Sequence, residues 1–279
     1  MENKIILITG ANSGIGKATA TALAEMGAHV IMMSRDLERG EDARQEVMRI
    51  SRNSQVDLMQ CDLASLDDIR RFSFDFIAKY KRLDVLINNA GIYTDKRMNT
   101  ADGFEYQFGV NHLGHFLLTR LLLGLMKTSS PSRIINVASG AHFGGRIDFD
   151  DIQSEKKYSG WKAYAQAKLA NILFTYELAR RLAGTGITAN CLHPGFVNSR
   201  FAVDRSTGKA NIMMKLMKPF TIEPAVGAET SVYLAASPEV EGVTGKYFAK
   251  RKQKASSKAS YDLVTAEKLW NISDALTAK

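Results

Sequence analysis

The stretch Lys4-Ile-Ile-Leu-Ile-Thr9-Gly10-Ala-Asn-Ser-Gly14-Ile-Gly16-Lys17-Ala-Thr-Ala-Thr-Ala-Leu-Ala24 carries three signals in succession. An apolar run of strand length comes first, then a turn with three glycines, then residues of good helix propensity. A strand that passes through such a turn into a helix brings backbone N–H groups to the positive end of a helix dipole, where they can meet a pyrophosphate. Glycine permits both the tight turn and close helix packing. The spacing is Gly-x-x-x-Gly-x-Gly, which departs from the Gly-x-Gly-x-x-Gly dinucleotide fingerprint.

The same alternation of apolar runs and helical patterns continues along the chain. Strands are predicted near residues 4–8, 29–33, 55–60, 83–88, 133–138, 187–192 and 246–248, with helices between them. Strands that alternate with helices argue a parallel sheet covered on both faces, and right-handed crossovers make it a three-layer, doubly wound α/β sheet. Its ligand crevice lies at the carboxyl ends of the strands. The 279 residues are expected to form one domain, 1–279, since there is no internal repeat and no low-complexity linker before residue 250. Residues 198–222 break the strand rhythm. Their flexible, apolar part around Met213 and Met214 reads as a lid over a substrate, with an ordinary amphipathic surface helix as the alternative. Residues 250–279 read as a C-terminal extension.

The net charge of +8 raises the question of a nucleic-acid or membrane partner. The densest basic run is Lys250, Arg251, Lys252, Lys254 and Lys258, with no interleaved aromatics and no recognition motif. It reads as a solvated, mobile segment, and no nucleic-acid partner is expected. Cys61 and Cys191 lie in or at the end of predicted buried strands, which suits a reducing compartment. A strand begins within the first few residues and no apolar run reaches membrane-spanning length, so the expectation is a soluble, cytoplasmic protein without a signal peptide or membrane anchor.

Tyr164-Ala-Gln-Ala-Lys168 places a phenol and an ammonium one helical turn apart on one face. A free phenol has a pKa of about 10, and a nearby cation favours its ionised form, so this pair can move protons. In isolation it is equally a packed ring beside a solvated amine. His112 and His115 stand three apart with no third ligand in view, so no metal is expected.

Taken in order, Thr9-Gly10-x-x-x-Gly14-x-Gly16, Asn88-Asn89-Ala90-Gly91, Asn111, Ser139, Tyr164-x-x-x-Lys168 and Pro194-Gly195 resemble the short-chain dehydrogenase/reductase family over roughly residues 3 to 249. The segments Asn111-His-Leu-Gly-His-Phe-Leu-Leu-Thr119, Ala138-Ser-Gly-Ala-His142 and Ala163-Tyr-Ala-Gln-Ala-Lys-Leu-Ala-Asn171 look like its retinol dehydrogenase branch, although Ala167 stands where many relatives carry serine. The resemblance implies a Rossmann-type sheet of about seven strands in the order 3-2-1-4-5-6-7. It also implies that Tyr164 exchanges a proton with the substrate oxygen, that Lys168 binds the nicotinamide ribose and depresses the tyrosine pKa, and that Ser139 hydrogen-bonds the substrate oxygen. Asn111 would kink its helix and hold a water leading to Lys168.

The cofactor contacts so implied are Gly10, Asn12, Ser13, Gly14, Ile15, Gly16, Ser34, Arg35, Asp62, Leu63, Asn89, Ala90, Gly91, Tyr164, Lys168, Pro194 and Gly195. An acidic residue at the end of the second strand would bind a ribose hydroxyl and repel a 2′-phosphate. Ser34 stands there with Arg35 after it, so NADP(H) is favoured over NAD(H), unless Asp36 turns inward instead. Ser139, His142, Phe143, Met213 and Met214 are candidates for the substrate side, and His193 for bracing the Pro194-Gly195 turn.

The activity implied is hydride transfer between NADP(H) and an apolar aldehyde, ketone or alcohol. A catalytically silent NADP-binding regulator or scaffold is the alternative, and a sugar-nucleotide epimerase a more distant one, since such chains usually need a larger C-terminal region. The resemblance also implies assembly through helices near Asp102–Met126 and Trp161–Leu182 into a homodimer or homotetramer, with a monomer as the alternative.

Overall fold

The computed structural model describes residues 1–195 and 222–278. Their strands form one eight-stranded sheet in the order β3-β2-β1-β4-β5-β6-β7-β8. The strands are β1 (Ile5–Thr9), β2 (His29–Ser34), β3 (Val56–Gln60), β4 (Val85–Asn88), β5 (Ser132–Val137), β6 (Ile187–Leu192), β7 (Tyr247–Ala249) and β8 (Lys252–Lys254). All pairings through β7 are parallel, and β8 runs antiparallel to β7. The helices are α1 (Gly14–Glu25), α2 (Leu37–Ser51), α3 (Leu66–Lys79), α4 (Gly114–Thr128), α5 (Gly160–Arg181), α6 (Pro224–Ala236) and α7 (Leu263–Thr277).

Alternation along the strands divides the core. Leu7, Ile31, Met33, Leu86, Ile134 and Ala189 share one cluster with Phe72 and Phe76 of α3, Phe116 and Leu122 of α4 and Phe174 and Leu178 of α5. Their neighbours Ile6, Ile8, Val30, Met32, Ile87 and Ile135 face the opposite way onto Leu23 of α1, Val47 of α2 and Leu234 of α6. Both faces are buried, which explains why the strands read as nearly continuous apolar runs. The order reverses at β1, whose neighbours are β2 and β4, and this switch point opens the crevice.

The seven predicted strands all form, and the sheet gains an eighth. The basic run after β7 is an ordered hairpin rather than a mobile segment. Ala249 pairs with Lys252 across a two-residue turn in which Lys250 and Arg251 have φ of 50° and 59°. Positive φ at both central positions makes a primed turn, which follows the natural twist of the strands. Arg251 fixes it to α6, its N–H bonding Thr230 Oγ1 at 3.1 Å. Lysines on an exposed edge strand also discourage pairing with another sheet, so the charges that read as disorder serve the fold.

The C-terminal extension then crosses to α5. Ala266 and Leu269 pack against Phe108, Leu169 and Leu173, and Trp270 meets Phe116 and Phe174 at ring distances of 5.0 and 5.8 Å. The Arg181 guanidinium lies 4.3 Å over the Trp270 ring. As a result α5 is buried from Ala163 to Ala179 except for half-buried Tyr176.

Removing the indole should therefore open a cavity between α4, α5 and α7. Trp270→Ala is expected to lower unfolding free energy by about 3 kcal/mol in urea titrations, as large core truncations do; a change near zero would mean that α7 is not seated as described.

Candidate active site

Thr9 ends β1 with no exposed surface, and its hydroxyl is a junction. Oγ1 accepts the N–H groups of Asn89 and Ala90 at 2.9 Å each and lies 2.9 Å from His115 Nε2. His115 Nδ1 sits 3.1 Å from the Asn111 carbonyl, which can only accept, so Nδ1 carries the proton and Nε2 receives the Thr9 hydroxyl. Burial pulls the His115 pKa down to about 4 against the pull of the Asn111 bond, in keeping with a neutral ring. The Asn89 amide donates to the Thr9 carbonyl at 2.8 Å. β1, β4 and the helix carrying Asn111 are thus joined at the crevice.

Around this junction the glycine turn takes the shape its sequence suggests. A Cβ on Gly16 would lie 2.3 Å from the Gly10 carbonyl oxygen and 2.6 Å from Asn89 Nδ2, so only glycine lets α1 begin here. Gly10 has φ of +63°. Ser13 makes no side-chain cap to α1, and the first turn holds no acid. Unsatisfied N–H groups at Gly14, Ile15 and Gly16 and the positive end of the dipole are therefore available to an anion, which fits a dinucleotide pyrophosphate.

At the end of β2 the Ser34 hydroxyl donates to the Asp36 carbonyl, and Asp36 caps α2 by accepting the Arg39 N–H at 3.1 Å. The first carboxylate after the strand thus faces its own helix. Arg35 is exposed, with Nη1 held 3.1 Å from the Tyr106 hydroxyl. After β3, Asp62 Oδ1 accepts the Ala64 N–H at 3.0 Å, Leu63 is buried, and Ser65 caps α3. Asp62 and Leu63 stand where β3 leaves the sheet. Pro194 and Gly195 follow β6; Gly195 has φ of +92° and donates its N–H to His193 Nδ1 at 3.1 Å, so His193 braces the turn.

Tyr164 and Lys168 are both buried on α5, with Lys168 Nζ 5.7 Å from the Tyr164 ring centroid. The ammonium donates to the Val137 carbonyl at 3.1 Å, and burial lowers its pKa to about 8. Tyr164 goes the other way. Burial raises its pKa, and the hydrogen bond from the Ser139 hydroxyl only partly offsets this, so in the protein alone the phenol holds its proton. Ser139 follows β5 and caps the 3-10 turn Gly140–Gly144 through the Ala141 N–H at 3.2 Å.

Asn111 lies in a π turn, Gly109–Leu113, just before α4. Such a turn breaks the ordinary helical ladder, and here the Asn111 carbonyl is met by the His115 ring. The side chain is clamped both ways to Ile92, accepting its N–H at 2.8 Å and donating to its carbonyl at 3.0 Å. The expected irregularity at Asn111 is therefore present as a π turn.

On the substrate side, Phe143 is exposed. His142 is fully buried, with Nδ1 2.7 Å from the Ser139 carbonyl and Nε2 accepting the Ser257 N–H at 3.1 Å, so both ring nitrogens are committed within the protein. Met213 and Met214, with the 198–222 lid, lie outside the described residues apart from Ile222. Two aromatics that sequence reading passed over flank the Tyr164 ring: Tyr93 edge-on at 5.8 Å and exposed Trp161 at 6.4 Å. Trp161 lies three residues before Tyr164, so helical spacing alone would have placed it there.

His112 spends its ring on Ser273 and Asn171. Cys61 and Cys191 are buried and free, and burial pushes the Cys61 thiol up to about 12.

Together a glycine-lined anion site, a buried lysine and a buried tyrosine next to a serine suit an oxidoreductase that binds a nicotinamide cofactor. The sequence profile described as short chain dehydrogenase matches residues 4–210. Human retinol dehydrogenase 14 is 47% identical, with 99% of this chain and 87% of that protein covered. A crystal structure of an uncharacterized protein from Mycobacterium paratuberculosis matches with a TM-score of 0.81 at 36% identity, covering 100% of this chain and 94% of the other. The active-site complex of Pseudomonas aeruginosa RhlG with NADP matches with a TM-score of 0.71 at 27% identity, covering 89% and 94%. The chain belongs to the short-chain dehydrogenase/reductase family and is an oxidoreductase acting on CH–OH groups. No described helix is long and apolar enough to cross a membrane.

Lys168 gives a stability prediction. Its folded pKa, about 8, lies below the ordinary 10.5, so its charge penalises the folded state fully below pH 8, and the penalty fades as pH rises from 8 to 10.5. Lys168→Met removes this penalty and leaves the Val137 carbonyl unpaired, for a net gain of about 1–2 kcal/mol at pH 7. Urea unfolding of the cofactor-free proteins should show the variant more stable at pH 7 and the gap narrowing toward pH 10. A less stable variant at pH 7 would contradict this.

Proposed function

We propose that this protein is an NADP(H)-dependent carbonyl reductase and alcohol dehydrogenase of the retinol dehydrogenase type, working on apolar aldehydes, ketones or their alcohols. The observation that carries the reading is the buried Tyr164, held protonated against the Ser139 hydroxyl one turn from Lys168. When bound, NADPH supplies the hydride.

The chain's own groups handle the oxygen. As a substrate carbonyl becomes an alkoxide, the Ser139 hydroxyl donates a hydrogen bond to it and the Tyr164 phenol gives up its proton. Lys168 binds the ribose hydroxyls and keeps a positive charge near the resulting phenolate. Its lowered pKa makes the ammonium a proton source close to neutrality, and Asn111 would hold the water that leads to it. In the alcohol-oxidising direction the same groups act in reverse, with Tyr164 taking the proton.

NADP(H) is favoured by the exposed guanidinium of Arg35 and by Asp36 being committed to the α2 cap. The NADP complex of RhlG agrees with this choice. Tyr93, Phe143 and Trp161 are apolar contacts suited to such substrates, and the kinship with retinol dehydrogenase 14 puts retinoid-like aldehydes first among them. The reading includes a cytoplasmic site of action, supported by the two free thiols.

Titration of protein fluorescence with NADPH and NADH, followed by loss of 340 nm absorbance against a panel of apolar aldehydes and ketones, tests the whole reading. Tight NADPH binding without turnover of any panel member would favour a silent NADP-binding regulator. Tyr164→Phe is expected to keep NADPH affinity within about two-fold while losing at least about a hundred-fold in kcat, the range for a general acid. Near-parental turnover would remove Tyr164 from proton transfer. Arg35→Asp should invert the cofactor preference, read as the ratio of kcat/KM for NADPH and NADH, and an unchanged ratio would sink the phosphate role of Arg35.

A further inference from the structure

Ser139 lies past the end of β5, so the sheet does not orient it. The last ladder bond nearby is from the Ala138 N–H to the Leu192 carbonyl at 2.8 Å. Beyond it, the Ser139 carbonyl accepts two donors from one residue: the His142 N–H at 3.2 Å and His142 Nδ1 at 2.7 Å. Because a carbonyl only accepts, Nδ1 carries the proton, and Nε2 presents a lone pair to the Ser257 N–H at 3.1 Å. Phe143 and Tyr247 pack on the ring at 4.1 and 5.1 Å, so it has one orientation.

Ser257 belongs to the C-terminal extension, which is tied to the catalytic helix as well. Tyr176, on α5 like Tyr164 and Lys168, bonds Ser256 Oγ at 2.8 Å, and Ser256 Oγ meets Ser260 Oγ at 2.6 Å. The Ser256 N–H bonds the Tyr261 hydroxyl at 3.1 Å, and the Tyr176 and Tyr261 rings stack at 5.5 Å. The β7–β8 hairpin delivers this segment there. One stretch of chain, Ser256–Tyr261, therefore holds α5 through Tyr176 and the Ser139 turn through His142.

We infer that the C-terminal segment positions the catalytic Ser139 relative to Tyr164 through the imidazole of His142, which makes His142 and the Ser257 amide positioning groups of the active site. The inference rests on the assignment of Ser139 to catalysis. His142 is suited to the task because a neutral imidazole donates on one side and accepts on the other, so it relays the position of a backbone N–H to a backbone carbonyl. Burial holds its pKa below the ordinary value, which keeps the ring neutral. The distance between the Ser139 and Tyr164 hydroxyls is then set by a segment more than ninety residues beyond either in sequence.

Ser257→Pro tests the relay, since the native φ of −64° already suits proline and the substitution deletes the one N–H that His142 accepts. In the intact chain, kcat is expected to fall on the order of ten- to a hundred-fold with KM for NADPH within about two-fold, the signature of a displaced catalytic group. Hydrogen exchange over residues 139–145 should quicken while β1 stays protected. In a Ser139→Ala background, single-turnover hydride transfer should be no slower with Ser257→Pro than without it, because the relay then has nothing to position. His142→Phe, which fills the ring's place without its nitrogens, should reproduce the kcat loss if the proline variant fails to fold. Parental kcat in both variants, unchanged exchange over 139–145, or an equal slowing in the Ser139→Ala background would overturn the inference. Faster exchange in Ser257→Pro together with a parent that reduces no carbonyl would leave the relay standing and sink the reductase reading alone.

Discussion

The buried hydroxyl of Thr9 is the contact on which the crevice depends. It accepts two backbone N–H groups from the turn after β4 and donates to a histidine that in turn donates to the Asn111 carbonyl. Every bond in this chain is made inside the protein, where an unmatched donor or acceptor costs roughly 1–3 kcal/mol, so loss of one member leaves others unsatisfied. The glycine turn can lie close against Ala90 and Asn89 because this junction fixes the ends of β1 and β4 relative to one another. The anion site at α1 and the π turn at Asn111 thereby share one rigid frame.

Within that frame the two groups proposed for proton transfer are held away from water. Lys168 keeps an ammonium with a single carbonyl partner among the described residues, and Tyr164 is buried with its proton on. Desolvation moves the two pKa values apart, the lysine down and the phenol up, so the protein alone does not form the ion pair that one-turn spacing suggests. Lys168 and Tyr164 would hold the ribose side of a bound dinucleotide, whose hydroxyls and oxidised ring would favour the phenolate. On the proposed reading, proton transfer would then depend on cofactor occupancy.

Much of the fold was legible because its signals are local. The strand, glycine turn and helix of residues 4–24 and the seven apolar runs each depend on neighbours in sequence, and all are found. The edge strand Lys252–Lys254 was not legible, since charge pattern alone does not separate a solvated tail from a hairpin whose lysines protect an exposed edge. His142 shows the same limit within the site. Its place in the sequence, three residues after Ser139, suggested a substrate contact, but its partners are a carbonyl on one side and an amide 115 residues onward on the other. Trp161 was legible by helical spacing, while the proximity of Tyr93 required the fold.

The C-terminal extension follows from the same constraint that shapes the sheet. An α5 that carries Tyr164 and Lys168 inward also carries Leu169, Leu173 and Phe174 on other faces, and these need cover. α7 supplies it with Leu269 and Trp270, and the Arg181 and Arg120 guanidiniums cover the indole from the solvent side at 4.3 and 5.5 Å. The middle of α5, the helix that bears Tyr164 and Lys168, is thus buried by its own chain. Tyr176 of α5 bonds Ser256, which meets Ser260, in the segment between the β7–β8 hairpin and α7, where hydrogen bonds can fix direction while the apolar surfaces supply most of the stability.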